Sequence, residues 1–172
     1  DGTDIWKFTT PTLGAINEYS PEVVLNGILF VNEILASNDT TLADEHGDFD
    51  DWIEIYNSGI VAIDIGGMYI SDDLTNVANY QIPETNPELT TIQPGGYLII
   101  WCDKEPDQGV LHADIKLSGT GEDAVLTDKD GTTIIDYYTF GEQTTDISIG
   151  RSPDGTENWI EFTSPTPGAT NN

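Results

Sequence analysis

The chain has 172 residues, with 31 Asp and Glu against 5 Lys and Arg and a formal net charge of −26 at pH 7. Such a surface repels phosphate, which speaks against nucleic acid as a partner. No apolar run approaches the ~20 residues of a membrane helix, which speaks against membrane insertion, and the single cysteine, Cys102, forbids an internal disulfide.

In chain order, residues 1 to 17 carry Trp6, Phe8 and Thr10-Pro11-Thr12-Leu13-Gly14, and residues 18 to 27 read as a linker. Residues 28 to 36 form the first strand and contain Asn32-Glu33-Ile34. A long acidic loop follows, with Asp39, Asp44, Glu45, Asp48 and Asp50 and a bend at Gly47. The central strand is Asp51 to Asn57. Period-two alternation puts Ile53 and Ile55 on one face and Trp52, Glu54 and Tyr56 on the other. Asn57-Ser58-Gly59 supplies a turn, with Gly59 free to take a positive φ.

Short strands are expected at 61–65, 68–71, 80–82 and 89–92. Gln93-Pro94-Gly95-Gly96 is a turn that launches Tyr97 to Cys102, an apolar run expected to be buried on both faces. Residues 111–117 are extended. Asp128-Lys129-Asp130-Gly131 closes a hairpin between strands at 124–127 and 132–140. Two last strands lie at 147–151 and 159–163. Eight or nine short strands, regular turns and no amphipathic helical window give an all-β sandwich or barrel of one domain, residues 28 to 172.

Val31-Asn32-Glu33-Ile34, Asp51 to Asn57, Ile63 to Asp72, Ile92 to Tyr97, Gly150 to Gly155 and Thr163 to Gly168 stand in an order that resembles the lamin-tail domain family in its bacterial, secreted form. Asn32, Glu33, Trp52, Glu54 and Asn57 are its structural signature here. The resemblance implies an immunoglobulin-like β-sandwich. It also implies a non-catalytic module for attachment or targeting, in a larger exported protein at the cell envelope or outside it, with a protein or cell-surface polymer as partner.

Glu33 and Glu54 on neighbouring strands suggest two further readings. A facing carboxylate pair can serve as acid and base in glycoside hydrolysis, and Trp52, Trp101, Trp159 and Tyr69 can form an aromatic platform for sugars. The alternative is that both carboxylates accept hydrogen bonds from backbone N–H groups of an adjoining loop and that the tryptophans pack in the core. Cys102, in an apolar strand, reads as a small packed side chain.

Asp44, Glu45, Asp48 and Asp50 are candidate ligands for calcium, although their spacing does not match an EF-hand. Scattered surface acid that only solvates is the plainer account. No cofactor is required. His46 and His112 stand far apart in sequence without a Cys-x-x-Cys, which speaks against zinc.

Residues 1 to 17 repeat the end of the chain. Asp1-Gly2-Thr3 matches Asp154-Gly155-Thr156, and Trp6 matches Trp159. After a one-residue gap Phe8-Thr9 matches Phe162-Thr163, Pro11-Thr12 matches Pro165-Thr166, Gly14-Ala15 matches Gly168-Ala169 and Asn17 matches Asn171. A segment this short is no domain. It reads as the closing tail of a preceding similar domain, which implies such domains in tandem. Trp6 is expected to pack away from the place of Trp159, partly on another chain, as weak self-association.

Overall fold

The computed structural model describes residues 25–172. The expectations for Trp6, Phe8 and the rest of residues 1 to 17, and for most of the linker, lie outside the described residues.

Twelve strands and one helical turn follow in order: β1 Leu29–Leu35, β2 Trp52–Asn57, β3 Ile63–Asp64, β4 Tyr69–Ser71, β5 Tyr80–Gln81, α1 Pro87–Thr90, β6 Thr91–Ile92, β7 Tyr97–Cys102, β8 His112–Ala113, β9 Glu122–Thr127, β10 Ile134–Phe140, β11 Ser148–Arg151 and β12 Trp159–Phe162. β3, β5, β6 and β8 are two-residue pieces of the extended runs expected at 61–65, 80–82, 89–92 and 111–117, so the strands number twelve where eight or nine are expected from the sequence. The main sheet runs β12-β11-β1-β2-β7-β8, the second β10-β9-β4-β5, and β3 pairs with β6. The fold is an immunoglobulin-like sandwich.

The inner faces meet in one apolar cluster. Val31, Ile34, Ile53, Ile55 and Ile100 from the main sheet pack with Ile70, Ala124, Leu126 and Phe140 from the second. Ile53 and Ile55 are therefore core residues, as their alternation requires.

Three local expectations change. Leu89 lies in α1, because Asn86 O accepts from the N–H groups of Leu89 (3.0 Å) and Thr90 (3.3 Å) and closes a turn before the chain extends at Thr91. Tyr97, Leu98 and Ile99 are only half-buried, whereas Ile100, Trp101 and Cys102 are buried. The far side of β7 is paired by β8 only at Trp101 and Cys102, so its first half is a sheet edge. Gly59 does not have a positive φ. A Cβ there would stand 2.8 Å from Ile28 Cγ2 and 3.0 Å from Asn57 Oδ1, so close approach is what demands glycine.

β1 pairs with β2 through a bulge. Val31 faces Ile55 and Glu33 faces Glu54, which leaves Asn32 as the extra residue. Asn32 and Glu33 thereby both meet the segment that covers the outer face of the main sheet.

Candidate functional site

That outer face is where the signature residues gather. Leu35, Trp52 and Trp101 form a small buried cluster capped by Leu42 of the acidic loop. Beside it, Glu33 and Glu54 are wholly buried under the C-terminal segment. Glu33 accepts from Thr166 N (3.0 Å to Oε1), Thr166 Oγ1 (2.8 Å to Oε2) and the hydroxyl of Ser148. Glu54 accepts from Gly168 N (2.6 Å to Oε2) and Asn32 Nδ2 (3.0 Å to Oε1). The segment after β12 has no strand to pair with, and these two carboxylates satisfy its N–H groups.

Asn32 and Asp154 extend the network. Asn32 Nδ2 donates to Asp154 Oδ1 (3.0 Å), and Asn32 Oδ1 accepts from Gly155 N (3.2 Å). Asp154 also accepts from Asn171 N (3.1 Å) and Tyr97 OH (2.8 Å). Asn171 Nδ2 reaches back to Asn32 O at 3.3 Å. A Cβ on Gly150 would stand 2.8 Å from that amide nitrogen, so Gly150 keeps the strand low enough for Asn171 to lie across it.

The electrostatics fit a structural clasp. Burial pushes the Glu54 carboxyl up to about 8, the Asn32 and Gly168 donors pull it back only in part, and Glu33 and Asp154 add repulsion. Burial raises Glu33 as well, against the pull of Ser148 and Thr166. A carboxyl with a raised pKa can act as a general acid, but both groups here are spent on the protein's own chain. The shallow depression of about 390 Å³ lined by Phe49, Asp50, Asp51 and Lys116, among others, contains neither.

Trp52 is fully buried and Trp101 nearly so. Trp159 is half-buried and stacks on Tyr138 with ring centroids 3.6 Å apart. Packing takes up Trp52 and Trp101 of the sugar-platform residues, while Trp159 and Tyr69 keep part of their surface in solvent. Cys102 is buried, and burial, followed by Asp51 and Asp103, raises its thiol pKa well above the usual range, which disfavours the thiolate. Asn57 ties the turn after β2 to β6: its Nδ2 donates to Val61 O (2.8 Å) and Ile92 O (3.0 Å), and its Oδ1 accepts from Gly59 N.

Sequence reasoning missed Arg151 and Asp136. Arg151 is buried, contacts both Asp136 oxygens (3.1 and 2.9 Å) and donates from Nε to Val31 O at 2.8 Å, while Asp136 Oδ2 accepts from Val31 N at 2.8 Å. The ion pair thus stands in for a strand partner at the β1 bulge and joins β10 to β11. The guanidinium also lies over Phe30 and Trp159. A buried position for one of only five cationic residues was the available signal, and a strand sequence does not display it.

The acidic loop folds around Asp44. Its Oδ1 accepts from the N–H groups of His46 (2.8 Å), Gly47 (2.8 Å) and Asp48 (2.9 Å). The chain then brings together what the sequence holds apart. Ring centroids of His46 and His112 are 6.0 Å from each other, and Glu45 Oε1 lies 3.2 Å from His112 Nε2. Asp103 Oδ2 is 2.5 Å from His112 Nδ1. Among the described residues, ligand atoms of Glu45, His46 and His112, and those of Asp44, Asp103 and His112, lie within 4.8 Å of one another. Of the four calcium candidates, Asp44 and Glu45 join these groups, and Asp48 and Asp50 do not. The sequence argument against zinc, that the two histidines are distant, does not hold in space.

The family model described as Lamin Tail Domain matches residues 25–142. That is more than half of the chain, and the chain belongs to this family. No curated protein and no solved structure matches it.

Proposed function

We propose that this lamin tail domain is a non-enzymatic binding module that serves attachment or targeting within a larger exported bacterial protein. The observation that carries the reading is the use of the facing carboxylates: Glu33 and Glu54 hold Thr166 and Gly168 of their own chain. The family is one of immunoglobulin-like domains used generally for protein interaction. No helix among the described residues is long and apolar enough to cross a membrane. The partner is a protein or a cell-surface polymer, and the net charge of −26 disfavours nucleic acid.

We further propose that the parent protein carries such domains in tandem. The residues repeated between the two ends of the chain include those that form the clasp. Asp154, Gly155, Thr166, Gly168 and Asn171 make its hydrogen bonds, and Asp1, Gly2, Thr12, Gly14 and Asn17 repeat them. Residues 1 to 17 thus hold the parts needed to close another domain of the same kind.

The test is an immobilised domain exposed to a native envelope fraction, beside a glycan array and a panel of glycoside substrates. Saturable retention of a protein or wall polymer, unchanged by Glu54→Gln, supports the reading. Hydrolysis that Glu33→Gln or Glu54→Gln abolishes would overturn it, as would tight glycan binding lost on Trp159→Ala.

A further inference from the structure

We propose that His46, His112 and Glu45 form a binding site for a divalent transition-metal ion of the zinc class, with Asp103 as the positioning residue for His112. The three ligand atoms already lie within 4.8 Å of one another, and Glu45 Oε1 and His112 Nε2 are 3.2 Å apart. A metal–ligand bond of roughly 2.0–2.2 Å needs donor atoms about 3–3.5 Å from each other. Glu45 and His46 are exposed and lie in a loop, so a small closure of that loop brings the third donor in.

His112 and Asp103 form the fixed half of the site. Both side chains are fully buried. A carboxylate on Nδ1 sets the tautomer that leaves the Nε2 lone pair for a metal, and it raises the basicity of the ring. His112 also stacks against Trp101 at 6.4 Å between ring centroids, which fixes the plane of the imidazole.

A second observation points to a cation here. Oδ2 of Asp44 is sealed from solvent and has no hydrogen-bond donor. Asp44 belongs to the group formed with Asp103 and His112, and Oδ1 of its side chain is spent on three N–H groups. A buried carboxylate oxygen without a donor is costly unless positive charge faces it. Two imidazoles select a zinc-like ion over calcium, which takes oxygen ligands.

The experiment titrates the chelator-stripped full chain with Zn²⁺, and in separate arms with Ca²⁺ and Mg²⁺. Calorimetry and the melting temperature are the readouts. One Zn²⁺ should bind and raise the Tm, because it binds the folded state. His46→Ala, an exposed change, should leave the metal-free Tm in place and weaken Zn²⁺ binding about ten-fold or more. Asp103→Asn should weaken it by a similar factor and remove the fixed Nδ1–H tautomer of His112 from the ring ¹⁵N spectrum. Three results would each overturn the proposal: no Zn²⁺ binding, undiminished binding in His46→Ala, or a Ca²⁺ shift as large as that of Zn²⁺.

Discussion

Glu33 and Glu54 are paired residues on adjacent strands, and they grip one loop two residues apart, at Thr166 and Gly168. Two acids placed side by side in an apolar sheet would repel and stay unsolvated without donors. The C-terminal segment supplies those donors, and the acids in turn fix where that segment lies. Neither side of this contact is stable alone, so its parts should fail together.

Thr166 Oγ1 stands 2.8 Å from Glu33 Oε2 and 2.5 Å from Asn171 Oδ1, and its one proton serves one of them at a time. Thr166→Val keeps the shape and removes that donor. The domain should lose about 1–3 kcal/mol in denaturant unfolding. Thr166→Ser, which keeps the hydroxyl, should lose less than about 1 kcal/mol. A larger loss in Thr166→Ser than in Thr166→Val would place the role of Thr166 in its methyl group.

The Glu54 carboxyl is pushed up to about 8 from an ordinary 4.5. The sign follows from proton binding: the folded state holds this proton over a pH range in which the unfolded chain has released it. Its contribution is complete below about pH 4.5 and is lost as pH rises through about 8. Glu54→Gln removes the titration. The stability of the wild type should therefore fall relative to Glu54→Gln from about pH 5 to about pH 8. Parallel profiles would show that Glu54 does not titrate in that window.

Ile55 sits in the core between the two sheets. Ile55→Ala should cost about 2–5 kcal/mol, the usual range for a large aliphatic truncated in a packed core. A loss below about 1 kcal/mol would put this residue at a site that collapses freely.

Much of this architecture could be read from the residues. The alternation Trp52-Ile53-Glu54-Ile55-Tyr56 fixes both faces of β2, and the turn at Asp128 to Gly131 fixes the β9–β10 hairpin. The half-buried start of β7 could not be read, since exposure there depends on how few residues of β8 reach it. The bulge at Asn32 and the Arg151–Asp136 pair were hidden for the same reason: they depend on which strands become neighbours. The meeting of His46 with His112 depends on the acidic loop folding back over the end of β7, which no local pattern records.

If residues 1 to 17 belong to a preceding domain, deleting residues 1 to 20 should leave the melting curve of this domain unchanged and weaken any self-association. Sedimentation and calorimetry of the two proteins report both effects. Unfolding of the shortened chain would assign those residues to this core instead.

Amide hydrogen exchange at Thr166 and Gly168 tests the clasp most directly. Both N–H groups lie outside any strand, so a free loop would exchange them at peptide rates. If Glu33 and Glu54 hold the segment, both amides should be strongly protected, and Glu33→Ala with Glu54→Ala should release them while the Ile53 and Ile55 amides of β2 stay slower. Exchange at free-peptide rates in the unaltered domain would contradict the account.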